Sequence, residues 1–230
     1  MQKNFYRTEL LIGKENLAKI QKTRILVLGL GGVGGTALEA LSRMGFCDFV
    51  LADFDVIDET NLNRQILTLE ENIGRKKALV AQERVLAINS RAKVEIFDGF
   101  VDLKNIEQFL PFDIVVDAID SVRAKVEILA YLWHKKIPVF SSMGAGFRKD
   151  LRFIKIADIF ETDGCRLARY VRKNLKKHGV TGGIKCVYSD EEVGVRTTEK
   201  IGSLVTITSM FGLLLAQLVF EEVVEGAVEK

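Results

Sequence analysis

Proline is scarce in this chain, 2 of 230 residues, and cysteine is scarcely commoner, with 3. With 48% apolar and 28% charged residues, that scarcity excludes collagen-like and disordered classes and leaves a soluble globular chain. Cys47, Cys165 and Cys186 stand singly, without any C-x-x-C pair. A full disulfide set and a zinc site are therefore not expected, and a reducing, cytosolic setting is. The two histidines, His134 and His178, are too far apart in sequence to suggest a metal site or a triad, and read as surface or helix-end residues. Neither sign of charge is in excess: 33 Lys and Arg against 31 Asp and Glu give +2, which excludes a histone-like polycation but allows a local basic patch. Met1 to Gly13 holds no continuous apolar block, so it does not read as a signal peptide. No internal repeat or low-complexity stretch is found. The length favours a single domain over residues 1–230, made of an N-terminal helical segment (1–23), a nucleotide-binding core (24–146) and a basic C-terminal part (147–230).

What is present is a regular alternation. Residues 1–23 suit one or two short surface helices. Arg24–Leu28 reads as a buried strand ending at glycine, Thr36–Met44 as a helix, and Phe49–Ala52 as a second strand ending at Asp53. Lys76–Asn89 follows as a helix, Lys93–Phe97 as a strand, Ile106–Leu110 as a short helix and Asp113–Val116 as a strand closing on Asp117-Ala118-Ile119-Asp120. A helix over Arg123–His134 and a strand over Val139–Ser142 complete the series. The fold class is therefore α/β, a Rossmann-like, mostly parallel sheet with helices on both faces, whose ligands sit beyond the carboxyl ends of the strands. Gly29, Asp53 and Asp120 all fall at that edge.

Beyond residue 150 a strand is expected over Leu151–Ile156, a basic helix over Cys165–Lys177 and a turn at Thr181–Gly183. Ile201–Phe220 runs twenty residues without a charge, long enough to cross a bilayer. The favoured reading is a core strand, Leu204–Ser209, leading into a core helix from Phe211. β-branched residues prefer strands, polar residues dilute the run, and the flank holds Glu221, Glu222 and Glu225 where an anchor usually has Lys or Arg. A membrane anchor stands as the lesser alternative.

Gly29-Leu30-Gly31-Gly32-Val33-Gly34 is a G-x-G-x-x-G turn between strand and helix. The first glycine permits the tight turn, the second lets a phosphate approach, the third packs helix on strand, and helix amides face the anion. Alone the motif is weak, but Asp53, about twenty residues on, is placed to hold a ribose. The cations that follow argue against a simple dinucleotide site. Asp53-Phe54-Asp55 leads into Asn61, Arg64 and Gln65, and then to Arg75, Lys76 and Lys77. Arg64 offers a planar fork for phosphate and Lys77 a movable point charge, as an enzyme that splits a triphosphate needs. The blander readings are an Arg64 ion pair with Asp55 or Asp58, and a Lys77 on a solvated helix face.

GLGGVG, LADFDVID, NLNRQ, GRKKALVA and DAIDS, in that order, resemble the adenylating superfamily of ubiquitin-activating-enzyme-like proteins, the ThiF and MoeB kind. Within it the chain is most similar to the tRNA threonylcarbamoyladenosine dehydratases, through RTELLIG, DAIDSVRAK, IPVFSSMGAG and ADIFETDGCRLARYVRKNLKKHG followed by IKCVYSDE. The resemblance implies ATP and Mg2+ as cofactors. It places the nucleotide on Gly29, Gly31, Gly32 and Gly34, its ribose on Asp53, its triphosphate on Arg64 and Lys77 with Asp55, Asn61 and Gln65 nearby, and the magnesium on Asp120. It implies a homodimer across which Arg7 serves the neighbouring site. Lys76 stands where many relatives carry proline, which leaves Lys76 and Lys77 as rival triphosphate lysines, with Lys77 chosen by its spacing from Arg64. The implied chemistry is adenylation of a carboxylate, with pyrophosphate released and AMP as leaving group. In the dehydratases that carboxylate is the threonyl group on adenosine 37 of tRNA, and ring closure then expels water overall. The alternative is an adenylyltransferase for the C-terminal glycine of a ubiquitin-like sulfur carrier, and docking of a sulfur-transfer or carrier-like protein stays open.

A tRNA partner requires a cationic surface. Arg166, Arg169, Arg172, Lys173, Lys176, Lys177 and Lys185 fall in residues 164–187, which contain no acid, and most recur at three- and four-residue steps. Arg148, Lys149 and Arg152 add to the patch, and Tyr170 could stack on a base or simply pack. The plain alternative is a solvated basic helix. Cys186, beside Lys185, is the candidate reactive thiol, although a small residue in a strand is the first reading of it. Cys47 and Cys165 read as packing.

Overall fold

In the computed structural model, residues 3–193 and 201–226 are described. Helix α1 (Tyr6–Lys22) is broken at Gly13, whose φ of 81° ends one helical piece and starts the next. Then come β1 (Arg24–Leu28), α2 (Gly32–Met44), β2 (Asp48–Ala52), α3 (Lys77–Ile88), β3 (Lys93–Phe97), β4 (Ile114–Asp117), α4 (Val122–His134), β5 (Val139–Ser142), β6 (Ile154–Asp158), α5 (Arg166–Lys177), β7 (Lys185–Ser189) and α6 (Val205–Val224). Ile106–Phe109 is a short 3-10 turn where a short helix was expected. The strands form one sheet in the order β3-β2-β1-β4-β5-β7-β6. All neighbours pair in parallel except β6, which runs antiparallel to β7.

Alternation along β1 divides the core. Leu26 and Leu28 face the side covered by α4 and α5. Ile25 and Val27 face the side covered by α1, α2, α3 and α6. Both faces are thus dry, as a parallel sheet demands. The strand order reverses direction at β1 and β4, so their carboxyl ends open a crevice, and the site lies there.

Two expectations for the C-terminal part need correction. Leu204–Ser209 is not a strand: Val205–Val224 is one continuous helix. Ile207, Phe211 and Leu215, and likewise Thr208, Gly212 and Ala216, are buried at four-residue steps. A helix stacks both rows against the core, whereas a strand would bury only alternate residues. That packing outweighs the weak strand preference of Val205, Thr206, Ile207 and Thr208. Secondly, Leu151–Phe153 is a 3-10 turn and the strand starts at Ile154. The strand expected around Cys186 is β7, which inserts between β5 and β6. Helix α6 is long and apolar enough to cross a membrane, yet it packs along α2 and also touches α1 and the sheet. The crossing with α2 is close: a Cβ on Gly212 would lie 2.4 Å from the Val33 carbonyl oxygen.

Candidate active site

A cavity of about 320 Å³ opens beyond β1, β2 and β4. Its walls include Gly29, Gly31 and Gly32 from the glycine turn, Asp53 and Asp55 after β2, Asn61, Arg64, Gln65 and Lys77 from the next segment, and Asp120 after β4. The local chain geometry explains the turn. Gly29 has φ of 83°, and a Cβ there would sit 2.8 Å from the Ala118 carbonyl oxygen. A Cβ on Gly34 would come within 1.9 Å of the Gly29 carbonyl oxygen, so Gly34 serves packing and does not line the cavity. At Gly31, by contrast, a Cβ would meet only Gln65 Nε2, at 3.8 Å, which leaves the backbone open to a ligand. Gly31 is also the N-cap of α2 and supplies no side-chain cap, so the first amides of the helix remain available to an anion.

Asp53 is buried and braces that turn. Its Oδ2 accepts from the Leu30 N–H at 2.6 Å and its Oδ1 from the Asp55 N–H at 2.8 Å. Burial pushes its pKa up, and the two backbone N–H groups pull against that rise. Lys77, the first residue of α3, is also buried, with Nζ donating to Asp55 Oδ2 at 2.7 Å. Its neighbour Lys76 turns outward and pairs with Asp98 at 3.1 Å. The solvated-face reading of Lys77 is therefore wrong, and of the two lysines it is Lys77 that reaches the cavity. Asn61 closes a local cap with Asp58, its Oδ1 accepting from the Asp58 N–H at 3.2 Å. Arg64 donates from Nη1 to the Thr60 carbonyl at 2.6 Å and to Asn63 Oδ1 at 3.0 Å, so the alternative of an ion pair with Asp55 or Asp58 is not found among the described residues. Asp120 is exposed at the cavity rim and forms no hydrogen bond or ion pair with another described residue. No cluster of three or more metal-ligating side chains exists among the described residues, so a cation here would lean on Asp120, ligand oxygens and water.

Several contributors escape a reading of the sequence. Phe54 and Phe100 line the cavity with ring centroids 5.6 Å apart, edge to face. Thr208 of α6 lines it too, donating its hydroxyl to the Arg64 carbonyl at 3.0 Å. Beneath the Asp120 loop, Lys125 Nζ donates to Asp117 Oδ2 at 2.6 Å, both side chains being fully enclosed. Ser141 Oγ donates to the same oxygen at 2.6 Å, and the Ile119 N–H reaches Asp117 Oδ1 at 3.3 Å. Within DAIDSVRAK this pair is separated by eight residues, which puts Lys125 on the inner side of α4, and that spacing is the signal by which sequence could reveal it.

Arg7 is exposed on α1 and lies outside the cavity wall; Phe5, two residues before it, packs by Gly45 at the opposite end of α2. On α5, Arg166, Arg169, Lys173, Lys176, Lys177 and Tyr170 are exposed or partly so. The helix starts where Leu167 approaches Gly144 beyond β5, and ends where His134 Nε2 meets the His178 carbonyl at 2.9 Å. The two histidines thus do come together, through one ring and one carbonyl. The patch runs the length of α5, about 18 Å. Arg172 is half-buried and tied inward, Nη1 donating to the Thr162 carbonyl at 2.7 Å. Arg148 does not join the surface patch, being only 6% exposed. Cys186 is fully enclosed, and burial first of all pushes its thiol up to about 12, so it is a packing residue and not a nucleophile.

The model of the ThiF family matches residues 6–226. The tRNA threonylcarbamoyladenosine dehydratase of Bacillus subtilis (strain 168) is 37% identical over 193 residues, spanning 83% of this chain and 76% of that one. The enzyme of the same name from Escherichia coli (strain K12) is 38% identical over 199 residues, spanning 83% and 74%. The crystal structure of E. coli tRNA N6-threonylcarbamoyladenosine dehydratase in complex with AMP superposes with a TM-score of 0.93 at 34% identity, covering 100% of this chain and 97% of that one. The complex of that enzyme with ATP gives the same values.

Proposed function

The chain belongs to the ThiF family, and from that premise we propose that it is an ATP-dependent dehydratase of threonylcarbamoyladenosine in tRNA. One observation carries the reading: phosphate-type cations, a ribose-type acid and an unpaired rim carboxylate converge on one glycine turn. ATP lies in the cavity with its ribose at Asp53 and its phosphates over Gly31 and the α2 amides. Lys77 exchanges Asp55 for a phosphate oxygen, and Arg64 turns its guanidinium to the same group. Asp120 would hold magnesium, which when bound spreads the triphosphate charge; a lone carboxylate completed by phosphate and water suits that ion.

The threonyl carboxylate then attacks the α-phosphorus. An O–P bond forms, the bond to pyrophosphate breaks, and the acid becomes an acyl-adenylate. Intramolecular attack on that acyl carbon closes the ring and releases AMP, with net loss of water from the base. The residues named here orient and neutralise; no side-chain nucleophile is needed, and proximity supplies much of the rate. The α5 cations Arg166, Arg169, Lys173, Lys176 and Lys177 hold tRNA phosphates, while Arg172 braces the helix. Two copies pair so that Arg7 of one protomer serves the site of its partner. The enclosed Cys186 and the lack of paired cysteines count against a thioester- or persulfide-forming carrier activator.

Incubation with ATP and threonylcarbamoylated tRNA, followed by nucleoside mass spectrometry, tests the proposal. Loss of one water from the modified base together with AMP and pyrophosphate is expected. An unchanged nucleoside would refute it.

A further inference from the structure

Arg148 is the most anomalous charge in the molecule. It is 6% exposed, and its Nε and Nη1 are enclosed without a hydrogen-bond partner among the described residues. Buried charges are nearly always paired, because desolvation of a lone ion costs several kcal/mol even after relaxation. Glu191, a buried carboxylate held by the next two residues, does not pair with Arg148 among the described residues; its Oε2 accepts from the Lys149 and Asp150 N–H groups at 3.0 and 3.2 Å. A planar fork of donors is thus held in a dry place with two of its nitrogens unsatisfied.

Its position gives those unsatisfied donors a meaning. Arg148 sits in the loop that leaves the carboxyl end of β5, the strand beside β4, on the same sheet edge as the cavity. Phe147, immediately before it, has φ of 59°, a left-handed conformation that is costly for an aromatic residue and marks a constrained loop. The Phe147 N–H donates to the Gly202 carbonyl at 2.8 Å. The same stretch of chain continues to Ser203, whose carbonyl accepts from Asn63 Nδ2 at 3.0 Å, and to Thr208 on the cavity wall. The Arg148 loop is thus tied by a hydrogen bond to the segment that runs on to Thr208, and Thr208 lines the nucleotide cavity.

We propose that Arg148, in the loop after β5 on the sheet edge that carries the nucleotide cavity, is the receptor for an oxyanion of the RNA substrate. This rests on the functional reading above and adds a ligand group to it. The oxyanion has two sources of the same chemistry: the carboxylate carried by the modified base, or a backbone phosphate next to it. Arginine meets either with two parallel N–H donors.

The test uses Arg148→Met and Arg148→Lys in the full chain. Two RNA hairpins serve as probes, one carrying threonylcarbamoyladenosine and one carrying adenosine at the same place. Removing an unpaired buried charge leaves the Tm of Arg148→Met unchanged or higher. Its kcat/KM for the modified hairpin falls about ten- to hundredfold, as loss of a charge-assisted pair predicts, while its KM for ATP stays put. Arg148→Lys retains part of the activity. If the carboxylate is the ligand, Arg148→Met loses the preference for the modified hairpin in a binding titration. If a phosphate is the ligand, both hairpins bind more weakly by the same factor. Wild-type kcat/KM retained within twofold by Arg148→Met, or activity lost only in step with a lowered Tm, overturns the inference alone. A wild-type protein that makes no AMP with the modified hairpin overturns the functional reading and this inference with it.

Discussion

Replacing Lys125 by methionine is the sharpest probe of how the Asp120 loop is held. The Lys125 ammonium lies 2.6 Å from Asp117 Oδ2, with neither side chain exposed at all. It also donates to the Ser142 carbonyl at 3.1 Å. Methionine fills much the same space but leaves the enclosed Asp117 carboxylate supported, among the described residues, by the Ser141 hydroxyl and the Ile119 N–H. Removing one partner of a buried pair costs about 3–5 kcal/mol. For a chain of this size each kcal/mol lowers Tm by about 2–4 °C, so a fall of about 6–20 °C is expected. Adding Asp117→Asn removes the stranded charge while its amide still serves Ser141 and Ile119, and at least half of the loss should return. Calorimetric unfolding without nucleotide, at one protein concentration, reads both variants. A fall below about 2 °C, or a double variant no better than the single one, would show that the pair does not carry the stability assigned to it.

Asp120→Ala should reduce AMP formation about a hundredfold or more while leaving RNA affinity intact; unchanged turnover would remove Asp120 from the site. Charge reversal at Arg169, Lys173 and Lys176 together should weaken tRNA binding and flatten its log–log salt dependence by about three, one for each phosphate no longer neutralised. An unaltered slope in a filter-binding series would mean that this face looks elsewhere. Because burial holds the Cys186 thiol up at about 12, thiolate is negligible at pH 8, and Cys186 should resist iodoacetamide in the folded protein and react in guanidinium. Peptide mass spectrometry that finds native Cys186 alkylated would contradict its burial.

The nucleotide half of the fold is legible in sequence because its signals are local. β1 lies at the expected residues, β2 begins one residue earlier than expected, and α3 begins one residue later. Helix α2 starts at Gly32, four residues before expectation, since glycines that a strand-to-helix turn requires look like loop in sequence. The departure at α6 has the opposite origin. Its β-branched start speaks for a strand locally, and only the rows of residues meeting α2 and the sheet decide for a helix. Within the site, motif positions such as Asp53, Asn61 and Lys77 converge as spacing suggests. Phe100 and Thr208 stay hidden because each acts through a neighbour distant in the chain, Phe54 and Arg64 respectively. Arg148 looks like a surface residue in sequence because basic composition does not reveal which cation turns inward.

The hydroxyl of Thr208 on the Arg64 carbonyl, and the tight fit of Gly212 on α2, have a consequence for biosynthesis. The helix that buttresses the glycine turn emerges from the ribosome about 170 residues after it. A nascent chain has a Rossmann half without its backing until α6 is made, and nucleotide affinity should switch on only once this helix docks.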